Sequence, residues 1–168
     1  MIFSSCTKQE ESILLQEISN WEFEYNGNWH QAEVPGNNFS DLLNHNFIPD
    51  PFYGTNEDSI QWVSEKNWIY RSNFTISEGT ISKNNQILYF NGLDTYAKVF
   101  LNDSLILEAN NMFRSWGVDV SGLLKKENTL TIKFNAVSKI ENTKLPNNIK
   151  FKIQKCFIYI ATNDVIKI

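Results

Sequence analysis

Cleaving a glycosidic bond requires two carboxyl groups held about 5 to 10 Å apart. The acids of this chain offer no such pair by context. Glu57 and Asp58 are adjacent, so on a strand they face opposite ways, and Glu65 and Asp94 stand in unrelated segments. Nucleophilic catalysis finds no Gly-x-Ser-x-Gly elbow, and neither His30 nor His45 sits in a triad context. No glycine-rich loop precedes a helix to cradle a phosphate. Two cysteines, Cys6 and Cys156, and two histidines make neither a disulfide framework nor a protein-built zinc site. Catalytic residues, metal ligands and cofactors are therefore all expected to be none. Sugar binding remains chemically open. Aromatic rings stack on the apolar faces of pyranoses, and Trp29, Trp62, Trp68 and Trp116 occur in an Asn-rich chain. Tryptophans of a β-fold are more often core. Trp62 is the exception, because Asn56, Glu57 and Gln61 crowd around it in an irregular stretch, so Trp62, Asn56 and Glu57 are the candidate substrate-binding residues.

The elements that must position these groups are mostly strands. Trp21-Glu22-Phe23-Glu24-Tyr25 alternates aromatic with acid, Asn26-Gly27 is a hairpin turn, and His30 to Val34 returns until Pro35-Gly36 stops it. From Asn37 to Asn46 the pattern becomes helical, with Asn38 as the expected cap and Phe39, Leu42 and Leu43 on one side. The prolines of Ile48-Pro49-Asp50-Pro51 exclude a helix there, while Asn56 to Val63 fits one or two helical turns. From Asn67 onward strands are expected over Trp68–Ile76, Gln86–Phe90, Tyr96–Leu101, Leu105–Ala109, Phe113–Val120 and Thr129–Val137, with Asn102-Asp103 turning one hairpin. Short strands punctuated every ten or so residues predict an all-β antiparallel sandwich of jelly-roll type, with short helical turns in the 37–63 region.

The chain has 168 residues, the size of one domain, with a net charge of −4. That balance argues against nucleic-acid binding, and no apolar run reaches the roughly 18 residues of a membrane-spanning helix. Aromatics at 14% supply the buried area of a folded core. The opening Ser4-Ser5-Cys6 looks like the end of a bacterial lipoprotein signal, with Cys6 as the lipidated residue, although the charged and apolar regions of such a signal are missing. The alternative is an ordinary cysteine on a frayed terminus. Residues 1–19 are accordingly expected to be a tether or signal remnant, and 20–168 a single sandwich. The lipoprotein reading implies export to the periplasm or cell surface.

Several strings together resemble the N-terminal domain of β-mannosidases of glycoside hydrolase family 2. They are Trp21-Glu22-Phe23, Val34-Pro35-Gly36, Asp41-Leu42-Leu43, Pro49-Asp50-Pro51-Phe52-Tyr53-Gly54-Thr55-Asn56-Glu57, Trp62-Val63 and Trp68-Ile69-Tyr70-Arg71. Phe90-Asn91-Gly92-Leu93-Asp94, Asn111-Met112-Phe113-Arg114 and Val118-Asp119-Val120 continue the match. It runs from about Trp21 to Val137, and the 49–57 string followed by Trp62-Val63 is its most specific part. The resemblance implies a galactose-binding-domain-like jelly roll that precedes an immunoglobulin-like domain and packs on a (β/α)8 barrel. The two catalytic glutamates of retaining β-mannoside hydrolysis lie on that barrel, so this chain alone is expected to be inactive. The family's Trp-Asp-Trp-Gly-Pro-like loop is not found after Lys144, and Phe151 to Ile168 does not follow the pattern. A sandwich incomplete at its C-terminal end is the expectation, as a fragment or a frame-shifted product. The competing readings are a free-standing carbohydrate-binding module and an interaction domain of a lipoprotein.

Overall fold

Alternation builds the sheets. In β4 (Trp68–Thr75), Trp68, Tyr70, Ser72 and Phe74 are buried, while Arg71, Asn73 and Thr75 face outward. A period of two on a pleated strand sends one set to the core and the other to solvent. The structure, a computed structural model, describes residues 14–82, 85–136 and 157–162. Within them a six-stranded antiparallel sheet runs in the order β3 (Asn28–Gln31), β2 (Trp21–Tyr25), β4, β9 (Glu127–Phe134), β6 (Ala97–Leu101) and β7 (Ser104–Ala109). A four-stranded sheet runs β1 (Leu14–Glu17), β10 (Phe157–Thr162), β5 (Gln86–Gly92) and β8 (Trp116–Asp119). One core joins them: Phe23, Val99, Leu101, Leu130 and Ile132 of the first sheet cluster with Leu88 and Phe90 of the second. Each such side chain contributes about 1.5–3 kcal/mol by leaving water. This is the all-β sandwich expected from the sequence.

Helical turns fill the segment between β3 and β4. α1 (Asn38–Asn44) is capped by Asn37, whose extended backbone lets its Oδ1 accept the Ser40 amide at 3.0 Å. The cap thus falls one residue before Asn38, which becomes the first helical residue and is buried. α2 (Asn56–Ser59) and α3 (Trp62–Glu65) split the turns expected over 56–63. A fourth helix, α4 (Glu78–Ile81), follows Ser77, whose Oγ accepts the Thr80 amide at 3.2 Å. Its brevity hid it from a periodicity reading.

Other boundaries also move. Leu14–Glu17, within the stretch expected to be a tether, is β1. It is hydrogen-bonded along β10, with Leu14 opposite Thr162. The strand expected over Phe113–Val120 shrinks to Trp116–Asp119, because the Asn111 Oδ1 accepts the Phe113 amide at 2.9 Å and bends the chain away from the ladder. Cys6, Lys144, Leu145-Pro146, and Phe151 through Cys156 lie outside the described residues.

Candidate functional site

The register defines two ends of the sandwich. Trp68 lies opposite Phe134, Phe134 opposite Ala97, and Ala97 opposite Ala109, giving one row across the six-stranded sheet. The segment from Phe47 to Lys66 is anchored at this row. The Phe47 ring packs 4.8 Å from Tyr25, and the Trp62 ring stacks on Tyr25 at 6.1 Å with 22° between planes. The Trp68 indole N–H donates to the Val63 carbonyl at 2.9 Å, and the Lys66 ammonium sits 4.8 Å above Tyr25 and 5.1 Å above Trp68. Trp62 is half-buried in this stack, with Trp68 6.3 Å away.

Between these anchors the chain makes a pinned loop. The Asp50 Oδ1 accepts the Phe52 amide at 2.9 Å, and its carbonyl accepts the Asn56 Nδ2 at 2.9 Å and the Tyr53 amide at 3.3 Å. Gly54 has φ +58, a conformation glycine adopts without strain. Ile48 and Ile60 are buried at the ends of the loop. Its tip carries Phe52 and Tyr53, 90% and 78% exposed. Glu57 is exposed on α2, where its carbonyl accepts the Gln61 Nε2 at 2.9 Å. Asn56, Glu57 and Trp62 therefore share this end: Asn56 fastens the loop, Glu57 faces solvent, and Trp62 packs in the aromatic stack with Tyr25 and Trp68.

Beneath α1 lies a buried carboxylate. Asp41, 2% exposed, accepts the Glu33 amide at 3.0 Å on Oδ1 and the Tyr70 hydroxyl at 2.9 Å on Oδ2. Burial pushes this carboxyl above its ordinary value, against the pull of the Glu33 amide, the Tyr70 hydroxyl and the His45 charge; the Glu33 charge adds to the push. His45 donates through Nε2 to the Gln31 carbonyl at 2.8 Å. Asp41 thus ties the β3 exit to β4. Asp94 is also buried and accepts the Thr95 hydroxyl in the β5–β6 connection. Among the described residues no group of three or more His, Cys, Asp or Glu is placed to hold a metal ion.

The opposite end is polar. A groove of about 610 Å³ is lined by Glu17, Asn20, Asn73, Asn102, Glu127 and Thr129, among others. Its Asn73, Asn102 and Asn128 side chains are hydrogen-bonded to neighbouring side chains and backbone. Asn102, at φ +48, accepts the Thr129 amide at 3.0 Å and donates to Asn128 Oδ1 at 3.0 Å and to the Leu123 carbonyl at 3.2 Å. The Thr129 hydroxyl donates to Asn73 Oδ1 at 2.7 Å.

Residues 19–163 match the glycosyl hydrolase 2 galactose-binding domain-like family. The chain belongs to that family. This glycosyl hydrolase 2 domain is 40% identical over 132 residues to β-mannosidase B of Thermothelomyces thermophilus, a match covering 70% of this chain and 14% of the relative. It is 34% identical over 129 residues to the β-mannosidase of Capra hircus, covering 75% of this chain and 15% of the relative. Among solved structures, the β-D-mannosidase of Dictyoglomus thermophilum superposes with a TM-score of 0.75 at 35% identity, covering 84% of this chain and 18% of that one. The β-D-glucuronidase for Dictyoglomus thermophilum, at 17% identity and a TM-score of 0.60, shares the fold alone. The domain thus spans about a seventh of the length of these mannosidase relatives.

Sequence reasoning passed over the exposed Phe52, Tyr53 and Phe113 and the buried Asp41. For the first two a signal existed: an aromatic pair locked between Pro51 and Gly54 has no strand or helix face to join. Asp41 gave none, since an acid in the first turn of a helix ordinarily reads as solvated.

Proposed function

We propose that this domain is the N-terminal, sugar-binding-type unit of a β-mannosidase-like enzyme that hydrolyses terminal β-D-mannose residues. The observation that supports it best is the joint match in sequence and shape to the Dictyoglomus thermophilum β-D-mannosidase. In this reading the acid/base and nucleophile carboxylates belong to a (β/α)8 barrel on which the domain packs. The domain shapes the approach to the sugar pocket, and the exposed Glu57 carboxylate serves a sugar hydroxyl alongside Asn56 and Trp62. The reaction served is retaining hydrolysis through a glycosyl-enzyme intermediate. The Ser4-Ser5-Cys6 string further supports an exported lipoprotein, which radiolabelled palmitate incorporation lost in Cys6→Ala would test.

The test of function is a domain exchange. The region of the Dictyoglomus thermophilum enzyme that this chain matches is replaced by this chain, and hydrolysis of p-nitrophenyl β-D-mannoside is compared with that of the same enzyme lacking the region. Restoration of at least tenfold supports the reading. A hybrid no better than the deletion overturns it.

A further inference from the structure

The groove of about 610 Å³ is left without a task by the function proposed above. It lies at the Thr75–Glu127 end of β4 and β9, and Thr75 stands seven residues along β4 from Trp68, about 23 Å away. The groove is therefore separate from Asn56, Glu57 and Trp62. Its walls are cross-braced. The Gln16 Nε2 donates to the Thr75 carbonyl at 3.0 Å and the Ser72 hydroxyl to the Ser19 carbonyl at 2.6 Å, which fastens the chain leaving β1 to β4. On the other side, the bonds of Asn102 to Thr129 and Asn128 fix the β6–β7 turn against β9.

Within this rigid frame some polar groups have no internal use. The side chains of Glu17, Asn20 and Glu127 make no hydrogen bond or ion pair among the described residues. Asn20 is the most informative of the three. Its backbone is left-handed, at φ +60, as is that of Asn102 at φ +48, a conformation that strains every residue with a Cβ. At Asn102 the side chain offsets the strain with three hydrogen bonds inside the domain. At Asn20 it makes none, so the fold gains nothing from an asparagine where glycine would sit without strain. A strained position with no structural return points to a ligand.

We propose that this groove is a second carbohydrate site, which holds a short run of β-linked mannose units away from the bond being cleaved. The identity of the sugar rests on the function proposed above; the groove does not. Its chemistry selects a neutral, hydroxyl-rich ligand. A sugar hydroxyl donates and accepts at once, and the open groups are of both kinds: the carboxylates of Glu17 and Glu127 accept, the Asn20 carboxamide does both, and Asn73, whose Oδ1 is taken by the Thr129 hydroxyl, keeps its Nδ2 to donate. An ion is not selected. Within two positions of the lining residues, Glu17, Glu22, Asp103 and Glu127 stand against Arg71, Lys125 and Lys126, four negative charges to three positive, a balance of −1. Nor do three His, Cys, Asp or Glu gather to hold a metal among the described residues. The volume falls in the range that small ligands fill. The one aromatic ring in the lining, Phe74, is only 9% exposed, so binding rests on hydrogen bonds and is weak.

The experiment titrates the isotopically labelled 168-residue chain with β-linked mannotriose and follows its amide resonances by NMR. The side-chain amides of Asn20, Asn73 and Asn102 should shift together, with a dissociation constant of about 1–10 mM. Asn20→Gly removes the carboxamide and relieves the backbone, so it should weaken binding at least fivefold without lowering the unfolding midpoint. Glu127→Gln, which keeps the shape of the side chain, should weaken it at least threefold. Phe113→Ser, on a loop outside the groove, should leave the constant within twofold. No shift at the groove up to about 20 mM sugar overturns the proposal, and so does binding that Asn20→Gly and Glu127→Gln leave unchanged. Shifts confined to Asn56, Glu57 and Trp62 overturn the groove and leave the functional reading standing. Groove shifts produced by spermidine and not by mannotriose overturn it in favour of an organic cation, and tighter binding of cellotriose overturns the mannose assignment. A domain exchange that restores no activity while mannotriose still fills the groove overturns the functional reading alone.

Discussion

Tyr70→Phe tests whether a buried charge is held in place by one hydroxyl. The substitution removes a single oxygen and keeps the ring, which packs 6.1 Å from Phe23 and 5.9 Å from Phe134. The lost bond is the one to Asp41 Oδ2 at 2.9 Å. A hydrogen bond to a buried charged acceptor is worth about 1.5–3 kcal/mol, so the loss at pH 7.5 should be about 2 kcal/mol, or a fall in Tm of roughly 4–8 °C. The penalty also has a pH signature. Burial already holds the Asp41 carboxyl above its ordinary value, and the Tyr70 hydroxyl pulls it down. The folded state therefore binds this proton more tightly than the unfolded chain, and the Asp41 contribution falls as pH rises from the unfolded carboxylate value, near 3.9, through the folded one. Removing the hydroxyl moves the folded value further up, so the penalty of Tyr70→Phe should grow between pH 4 and pH 7.5. Urea unfolding followed by tryptophan fluorescence at both pH values measures it. In an Asp41→Asn background the same substitution should lose only about 1 kcal/mol, with no pH dependence. Equal penalties at both pH values in the natural background would refute the assignment of the effect to the carboxylate's charge.

Gly36→Ala drives a Cβ into the Glu33 carbonyl oxygen, backbone that the Asp41 side chain anchors through the Glu33 amide, so a loss of about 3 kcal/mol is expected; a stability within about 1 kcal/mol of the natural chain's by urea unfolding would disprove the clash. At Asn102, glycine should be about 1 kcal/mol less damaging than alanine, because both lose the side-chain bonds but only alanine keeps the strain of φ +48; equal losses by calorimetry would show that the left-handed backbone carries no strain. The chain by itself should release no p-nitrophenol from p-nitrophenyl β-D-mannoside. Turnover that Glu57→Gln or Asp94→Asn abolishes would place an active site on this domain.

The sheets were legible where pairing is local and one face is buried. Trp68–Thr75 and the Asn26-Gly27 hairpin follow from alternation and turn chemistry alone. Features decided by distant partners were not. Leu14–Glu17 has no pattern of its own and becomes a strand only because β10 lies beside it. The cap of α1 slipped because two adjacent asparagines offer the same chemistry, and the choice depends on which of them takes extended backbone. Trp62 drew notice through its polar sequence neighbours, whereas its ring environment comes from Tyr25 and Trp68, residues of two different strands. Exposure of Phe113 could not be read for the converse reason: an aromatic residue is expected inside, and only the turn made by Asn111 sends it out.

The placement of β10 between β1 and β5 has a consequence for how the chain folds as it is made. All six strands of the larger sheet have been synthesised once Phe134 has emerged, whereas the smaller sheet then has only β5 and β8 joined. Until Phe157–Thr162 arrives, the β5 edge that it will occupy stays open, and Leu14–Glu17, made long before, lacks its β10 partner. At ordinary translation rates of about 5–20 residues per second this interval lasts about 1–6 s. Closing so long a loop is slow in its own right, and an open edge of the Gln86–Gly92 kind is a template for pairing with other chains. Ribosome-bound chains arrested just after Phe134 should accordingly be cleaved within Gln86–Gly92, and chains arrested well past Thr162 should be protected there. β10 acts as a bolt between β1 and β5, and the time it takes to slide home is when this protein is most exposed to aggregation.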